Sequence, residues 1–454
     1  MGVKMTSGKP LTLIFKFMVP IFFGYLFQEL YNMVDTVIVG RFVGPNALAA
    51  VGSTGTIVFM ILGLAIGLAT GFAVLTSQRF GAGDAEATRR SFANGILLSL
   101  ISIGVLTAIS LLLMHPILHV MSTPADIYDD AYAYIFTICA GCGTIVFYNF
   151  FAASLRAIGD SRHPLYFLVL STILNVVLDL FFIIVLKLGT MGAALATNVS
   201  QGTSAVLCFL YIMRRVPSLR PQKGDFRLRK GYTAQQLNIG IPMALQFGIT
   251  ASGTMVMQAA INIYGSIAVG GFTAASKVIG LMTSAMPAFG QTMAAYVGQN
   301  YGYGDMNRVH QGTKAAMLIA TIYSVAAGVL SVVLLPYVIR LFFDAGVDLT
   351  AYMPYARIYC YESVFFYIPL SMIFIYRNTM QGCGYGKTTL ALGFMELGAR
   401  LFAAVLSRQL HSYALAAGGD AFAWGAAGVL AFVLYLVVRK RETIRLSRKK
   451  ASPV

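Results

Sequence analysis

Leu165–Leu186 reads LYFLVLSTILNVVLDLFFIIVL, 22 residues with no Lys or Arg and one charge, Asp179. As an α-helix it extends about 33 Å, enough to cross the ~30 Å hydrocarbon core of a bilayer. Ile96–Met114 is equally free of Lys and Arg. Beyond these two stretches, 57% of the 454 residues are apolar and 11% are charged. A typical soluble domain is about 25% charged, and so few charges could not cover the surface of a soluble protein this long. The chain reads as an all-α polytopic membrane protein.

Hydropathy and loop punctuation predict twelve transmembrane helices. Six lie at about 12–39, 48–77, 90–114, 130–155, 164–186 and 190–213. The other six lie at about 235–264, 271–299, 311–340, 352–376, 388–410 and 421–438. The apolar stretch behind Met1–Pro10 exceeds the roughly 7–15 residues of a signal peptide's apolar core, so it reads as the first span. With the N-terminus in the cytoplasm, all but seven of the 33 Lys and Arg fall on cytoplasmic segments. The exceptions are Arg41, Lys187, Lys277, Arg340, Arg357, Arg400 and Arg408. By the positive-inside rule both termini are expected in the cytoplasm and the chain in the cytoplasmic membrane.

The polar segment 214–233, RRVPSLRPQKGDFRLRKGYT, divides the chain. It separates an N-terminal lobe, 1–213 (spans one to six), from a C-terminal lobe, 234–438 (spans seven to twelve), with a basic tail at 439–454. Linker and tail carry seven Lys and Arg each and one acid each, which accounts for most of the net charge of +16. That charge is a topology signal beside anionic lipid and calls for no nucleic acid.

The halves repeat. Gln78-x-x-Gly81-x-Gly83-Asp84 closes span two, and Gln299-x-x-Gly302-x-Gly304-Asp305 closes span eight at an offset of 221. Arg156-Ala-Ile-Gly159-Asp-Ser-Arg162 is echoed by Gln381-Gly-Cys-Gly384-Tyr-Gly-Lys387 at 225, and Pro20 by Pro242 at 222. An even number of spans in each half predicts two six-helix lobes related by a pseudo-two-fold axis along the membrane normal. Gly63, Gly67 and Gly71, spaced by four, suit close helix packing. The glycine-rich turns lack the Lys-Ser/Thr of a P-loop, which disfavours ATP-driven transport. Cys139-x-x-Cys142 sits in an apolar helix and reads as packing. His115 and His119 flank Pro116 and read as a loop rather than a metal site.

Acids within spans are expensive and mark function by default. Five fall there: Glu29, Asp35, Asp179, Glu362 and Glu396. On span one, Gln28, Tyr31, Asn32 and Asp35 share a helical face. Asn175 and Asp179 are one turn apart on span five, and Thr197, Gln201 and Ser204 form a stripe on span six. Two carboxylates with amide and hydroxyl oxygens suit either a sodium ion or a proton. A polar seam joining helices is the plain alternative, favoured for Glu29. In the second half, Glu396 and Arg400 stand at i, i+4 and can neutralise each other. Lys277 and Glu362 could pair across helices or line a second cavity. The methionines of spans seven and eight, such as Met257 and Met286, read as core filling or as an adaptable pocket lining.

These residues resemble the multidrug and toxic compound extrusion (MATE) family from Pro20 to the twelfth span. The resemblance is carried by Tyr31-Asn-Met-Val-Asp35-Thr-Val-Ile-Val-Gly40, the two Gln-x-x-Gly-x-Gly-Asp loops, Leu155–Arg162 and Asn175-Val-Val-Leu-Asp179. It implies two six-helix lobes facing a central cleft that export organic cations and drugs in exchange for H+ or Na+. Similarity to the prokaryotic DinF-like branch implies a cation site at Asp35, Asn175, Asp179 and Thr197. It also implies substrate contacts at Gln28, Tyr31 and Asn149, and a helix bend at Pro20. Other branches have an acid in span seven; Leu237–Tyr264 has none, which moves the expected ion site to the first lobe.

The expectation is thus a secondary antiporter acting as a monomer, with no cofactor beyond its coupling ion. Its expected partners are small organic cations or drugs and membrane lipid. A flippase for lipid-linked saccharides is the related alternative, but its anionic cargo would want several arginines in the cavity, and only Arg400 lies clearly inside a span. An enzyme would need a nucleophile–base pair or metal-ligand spacing, and neither is found.

Overall fold

The computed structural model describes residues 4–120, 123–342 and 348–451, so the first three residues of the N-terminal lobe and the last three of the tail lie outside it. Every regular element among the described residues is helical. The first half comprises α1 (Pro10–Phe42), α2 (Pro45–Gly81), α3 (Ala85–Val120), α4 (Tyr128–Ala140), α5 (Cys142–Ala157), α6 (Arg162–Leu180) and α7 (Gly189–Arg215). The second comprises α8 (Lys230–Asn262), α9 (Gly265–Thr283), α10 (Ala285–Tyr303), α11 (Met306–Val338), α12 (Met353–Phe365), α13 (Tyr367–Gly382), α14 (Lys387–Leu410), the single turn α15 (Tyr413–Ala417) and α16 (Gly419–Ala451). Among the described residues, ten helical stretches are long and apolar enough to cross a membrane, α9 and α10 counting as one, and two bent pairs raise the number to as many as twelve. Ile101, Val105, Ile109 and Leu112 on α3 are half or more exposed, as are Ile322, Val325, Val329 and Val333 on α11. Exposed apolar stripes at helical spacing are of the kind that suits a hydrocarbon environment.

The bent pairs fall at the expected spans 130–155 and 352–376. α4 and α5 meet at 46° around Gly141, and α12 and α13 at 47° around Phe366. At the first break Asn198 of α7 donates through Nδ2 to the Thr137 carbonyl at 2.6 Å and fills the space a side chain at Gly141 would need. A glycine and an inserted polar side chain cause this kink without a proline. The loop expected at His115–His119 is corrected, because α3 runs through Pro116 to Val120. Proline removes one backbone donor close to the helix end, while His115 stacks on Tyr132 at 4.5 Å and meets the Tyr128 hydroxyl at 2.8 Å.

The duplication extends to backbone geometry. Gly83 and Gly304 take φ of +77° and +84°, Gly159 and Gly384 +88° and +95°, and Gly44 and Gly265 +129° and +86°. These conformations are cheap only without a Cβ. After the first pair, Asp84 Oδ1 accepts the Ala87 N–H at 2.8 Å and Asp305 Oδ1 the Arg308 N–H at 3.0 Å, capping α3 and α11 alike.

The chain divides into two compact units: unit 1 is Met1–Ser7 with Val19–Phe247, and unit 2 is Gly8–Met18 with Gly248–Val454. Unit 1 has apolar cores around Ile61, Ile135 and Ile138 and around Phe72, Phe92 and Phe150. Its α2 lies directly against the backbone of α8. A Cβ at Gly67 would stand 2.6 Å from Ala244, and one at Gly71 would overlap Gly240, so the four-residue glycine spacing serves close packing. In unit 2, Tyr376, Met380, Leu392 and Tyr435 cluster. There the buried Glu442 accepts from Tyr301 at 2.8 Å and Tyr385 at 2.5 Å.

The basic linker belongs to unit 1 and is fastened by one acid. Asp225, 4% exposed, accepts from Arg89 Nε at 2.5 Å and from the Gln222 N–H at 2.9 Å, with Arg90 3.8 Å away. Desolvation alone would raise this carboxyl, but the Gln222 N–H and the two guanidiniums outweigh it and hold it below the usual carboxylate range. Its stabilising effect is therefore complete above that range and lost only as pH falls through the lowered folded-state value. Asp225→Ala is expected to free the linker at neutral pH. Losing about 1.4 kcal/mol would speed trypsin cleavage within 214–233 roughly tenfold. An unchanged cleavage rate would contradict the fastening.

Candidate functional site

Four helices of unit 1 gather the polar residues. Asp35 on α1 is 7% exposed, while Asn175 and Asp179 on α6 are 1% and 0% exposed. Asp179 occupies the last turn of α6, just before the backbone widens into a π-turn at Phe181–Val185, a feature frequent at functional positions. Among the described residues, Oδ1 of Asp35, both carboxylate oxygens of Asp179, and Oδ1 and Nδ2 of Asn175 are buried without a hydrogen bond. Buried polar atoms are paired in the great majority of cases, and each unpaired one costs roughly 1–3 kcal/mol, more if charged. Five such atoms on three neighbouring residues mark a place built for something other than stability.

Tyr31 and Thr197 complete the cluster. Thr197 Oγ1 donates its one proton to the Ala193 carbonyl at 3.1 Å, so the Tyr31 hydroxyl at 2.7 Å must donate to Thr197. The two carboxylates stand within electrostatic range of each other, and Tyr31 and Tyr134 of α4 within range of both. Beside them Gln28, Tyr31, Leu168, Ser171, Thr172, Ser200 and Gln201 line a small cavity. Its Gln201 Oε1 is likewise buried without a hydrogen bond. A larger cavity between α2, α3 and α4 is lined by Ile57, Leu64, Ile109 and other apolar groups, with Ser110 and Cys139 the polar exceptions. The smaller cavity is the one that adjoins chemistry.

The structure thus brings Asp35, Asn175, Asp179, Thr197, Tyr31 and Gln28 into one region. Asn149 is turned to its own helix, donating Nδ2 to the Ile145 carbonyl at 2.9 Å. Asn32 and Glu29 are exposed. Ser204 fastens α7 to α6 by donating to the Phe167 carbonyl at 2.8 Å, and Pro20 lies inside α1. Two contributors went unread in the sequence. Ser171 stands one turn before Asn175, so Ser171, Asn175 and Asp179 form a legible stripe at four-residue spacing. Tyr134 gives no signal among its apolar neighbours.

Unit 2 holds a different arrangement. Arg400 on α14, 3% exposed, donates from Nε to Asp420 Oδ1 at 3.0 Å, with Nη2 also 3.0 Å from that oxygen, and its Nη1 lies 3.5 Å from Glu396 Oε2. Tyr359 of α12 donates to Asp420 Oδ2 at 3.0 Å. The i, i+4 neutralisation expected of Glu396 is therefore shared with Asp420, an acid that begins α16 and lies just outside the expected twelfth span. Lys277 is exposed, and no ion pair joins it to Glu362 among the described residues. Glu362 Oε2 is buried without a hydrogen bond among the described residues.

The MatE family model matches residues 20–181 and 242–406. The chain is 31% identical over 308 residues to "Probable multidrug resistance protein YpnP" of Bacillus subtilis, covering 67% of this chain and 68% of that one. It is 27% identical over 429 residues to "DNA damage-inducible protein F" of Escherichia coli, covering 88% and 89%. Among solved structures, a MOP superfamily transporter from Pyrococcus furiosus superposes with a TM-score of 0.89 at 23% identity, over 97% of this chain and 98% of that one. That last likeness is one of fold.

Proposed function

Because this chain belongs to the MatE family of transporters, we propose that it is a secondary antiporter exporting amphipathic or cationic organic compounds in exchange for H+ or Na+. The observation that carries the reading is the buried carboxylate pair Asp35 and Asp179, three of whose four oxygens are buried without a hydrogen bond among the described residues. Taking one unpaired carboxylate out of water costs several kcal/mol, so two neighbouring ones call for a compensating cation or proton. Asn175 and Thr197 supply neutral oxygens for that ion, and Gln28 and Tyr31 line the adjoining cavity where substrate would bind. Ion and substrate then compete through shared helices, which is the condition for exchange.

The coupling acts through α1. Its residues up to Met18 belong to unit 2 and those from Val19 belong to unit 1, with Pro20 at the change. A helix missing one hydrogen bond at Pro20 is easily bent there, so the charge state of Asp35 can be read out as helix shape. The name of the Bacillus relative supports drug-like substrates, and the extent of the Escherichia coli match supports the DinF-like branch. The Lys and Arg of linker and tail support both termini in the cytoplasm, and the transporter acts as a monomer.

The test is transport by purified protein in vesicles. An imposed inward pH or sodium gradient is expected to drive substrate uphill in the opposite direction. A response to neither gradient would sink the antiporter reading.

A further inference from the structure

Unit 2 contains a second copy of the helices that build the Asp35–Asp179 cluster. From Tyr134/Tyr359 through the two breaks at Gly141/Phe366 and the turns at Gly159/Gly384, the halves keep a single offset of 225. The two family-model matches end at 181 and 406, the same shift. Burial on α6 and α14 follows it too: Pro164, Ser171 and Asn175 are buried, and so are Thr389, Glu396 and Arg400. On α7 and α15–α16 the buried positions agree at a shift of 223, pairing Ser200 with Ala423, Ser204 with Ala427 and Cys208 with Ala431. That register sets Asp420 where unit 1 has Thr197. On α1 and α8 the shift of 222 that pairs Pro20 with Pro242 sets Gly253 where unit 1 has Tyr31 and Met257 where it has Asp35.

The duplicate site therefore keeps its place and changes its charge. Where unit 1 has the neutral Asn175 and Thr197 beside unpaired carboxylates, unit 2 has a guanidinium held between two carboxylates and a tyrosine. Arg400 lies 3.0 Å from Asp420 and 3.5 Å from Glu396, and Tyr359 holds the other oxygen of Asp420. Room for it comes from Gly253, where a Cβ would stand 3.0 Å from Nη1 and 3.1 Å from Cδ. A guanidinium is charged at every physiological pH and cannot leave.

We propose that Arg400 is a tethered cation in the duplicate of the coupling site, standing where an exchangeable H+ or Na+ would otherwise bind between Glu396 and Asp420. Unit 2 is thereby closed to ion exchange, and ions pass through unit 1 alone. The inference rests on the assignment of Asp35 and Asp179 as the coupling pair. The full chain offers the test, in an Asp35→Asn/Asp179→Asn background that silences unit 1. Its thermal midpoint is followed against NaCl at pH 8, with choline chloride as the ionic control.

With Arg400 intact the midpoint is expected to be indifferent to sodium. Arg400→Gln is expected to create a sodium response on the order of 3 °C, and Asp420→Asn added to it to abolish that response. A folded Arg400→Gln protein indifferent to sodium overturns the proposal. Where Arg400→Gln does not fold in low salt, recovery by NaCl, or by Glu396→Gln and Asp420→Asn together, supports it, since those acids are what the cation neutralised. Failure of both recoveries overturns it. Exchange that persists in the Asp35→Asn/Asp179→Asn protein with Arg400 intact would contradict the coupling assignment instead.

Discussion

Asp179→Asn is expected to yield a transporter that still binds substrate, loses gradient-driven efflux roughly a hundredfold or more, and unfolds at a higher temperature than its parent. The size of the transport loss follows the lower end of what removing a positioned proton-transfer group costs. The stability gain follows from the environment. Asp179 is 0% exposed and neither of its oxygens receives a hydrogen bond from the described residues. An amide of the same shape removes the charge from that position and should stabilise the fold by roughly 1–3 kcal/mol. Purely structural acids behave in the opposite way, because their loss destabilises. Transport at the parental rate would refute the role of Asp179. Inactivity with a lowered midpoint would make it a structural residue. Asp35→Asn should behave alike but more weakly in stability, since only Oδ1 of that carboxyl is among the buried unpaired atoms.

Asp420→Ala is the converse case. Asp420 accepts from Arg400 Nε and from Tyr359, and Arg400 Nη2 lies 3.0 Å from it as well. Its removal leaves a guanidinium that is 3% exposed with Glu396 at 3.5 Å as its remaining acidic partner. Breaking a buried ion pair from one side costs about 3–5 kcal/mol, a large fraction of the stability of most folds. A steep fall in the thermal midpoint and in the yield of monodisperse protein is expected. Asp420→Asn, which keeps acceptors for Tyr359 and Arg400, should fall between. A loss from Asp420→Ala below about 1 kcal/mol, the value of an exposed pair, would mean that this network is not held as described.

The contrast between these two acids shows what could be read from the sequence. Asp179 was legible because it is the one charge in a 22-residue apolar run, and an isolated charge at bilayer depth is informative by itself. Asp420 was not, because it sits at the first turn of α16, where hydropathy ends the span and a charge looks solvated. Its burial comes from Arg400, which reaches it from a different helix, α14. The turn glycines and the Asp84 and Asp305 caps were legible as a repeat because the backbone there demands particular residues. The bends at Gly141 and Phe366 were hidden, since neither carries a proline and the first depends on Asn198, a side chain brought in by α7. The equivalence of Thr197 with Asp420 was hidden as well. Small insertions move the shift between the halves from 221 to 225, and only burial along the helices restores the register.

The central claim is that Asp35 and Asp179 hold a cation which substrate displaces. It is tested most directly by adding an amphipathic organic cation, such as tetraphenylphosphonium, to the purified protein in weakly buffered detergent solution. Released protons and displaced radioactive sodium are counted against substrate bound. The account predicts release of one or two cations for each substrate bound, and no release from the Asp35→Asn/Asp179→Asn protein. Substrate binding without release, or equal release from the double variant, would contradict it.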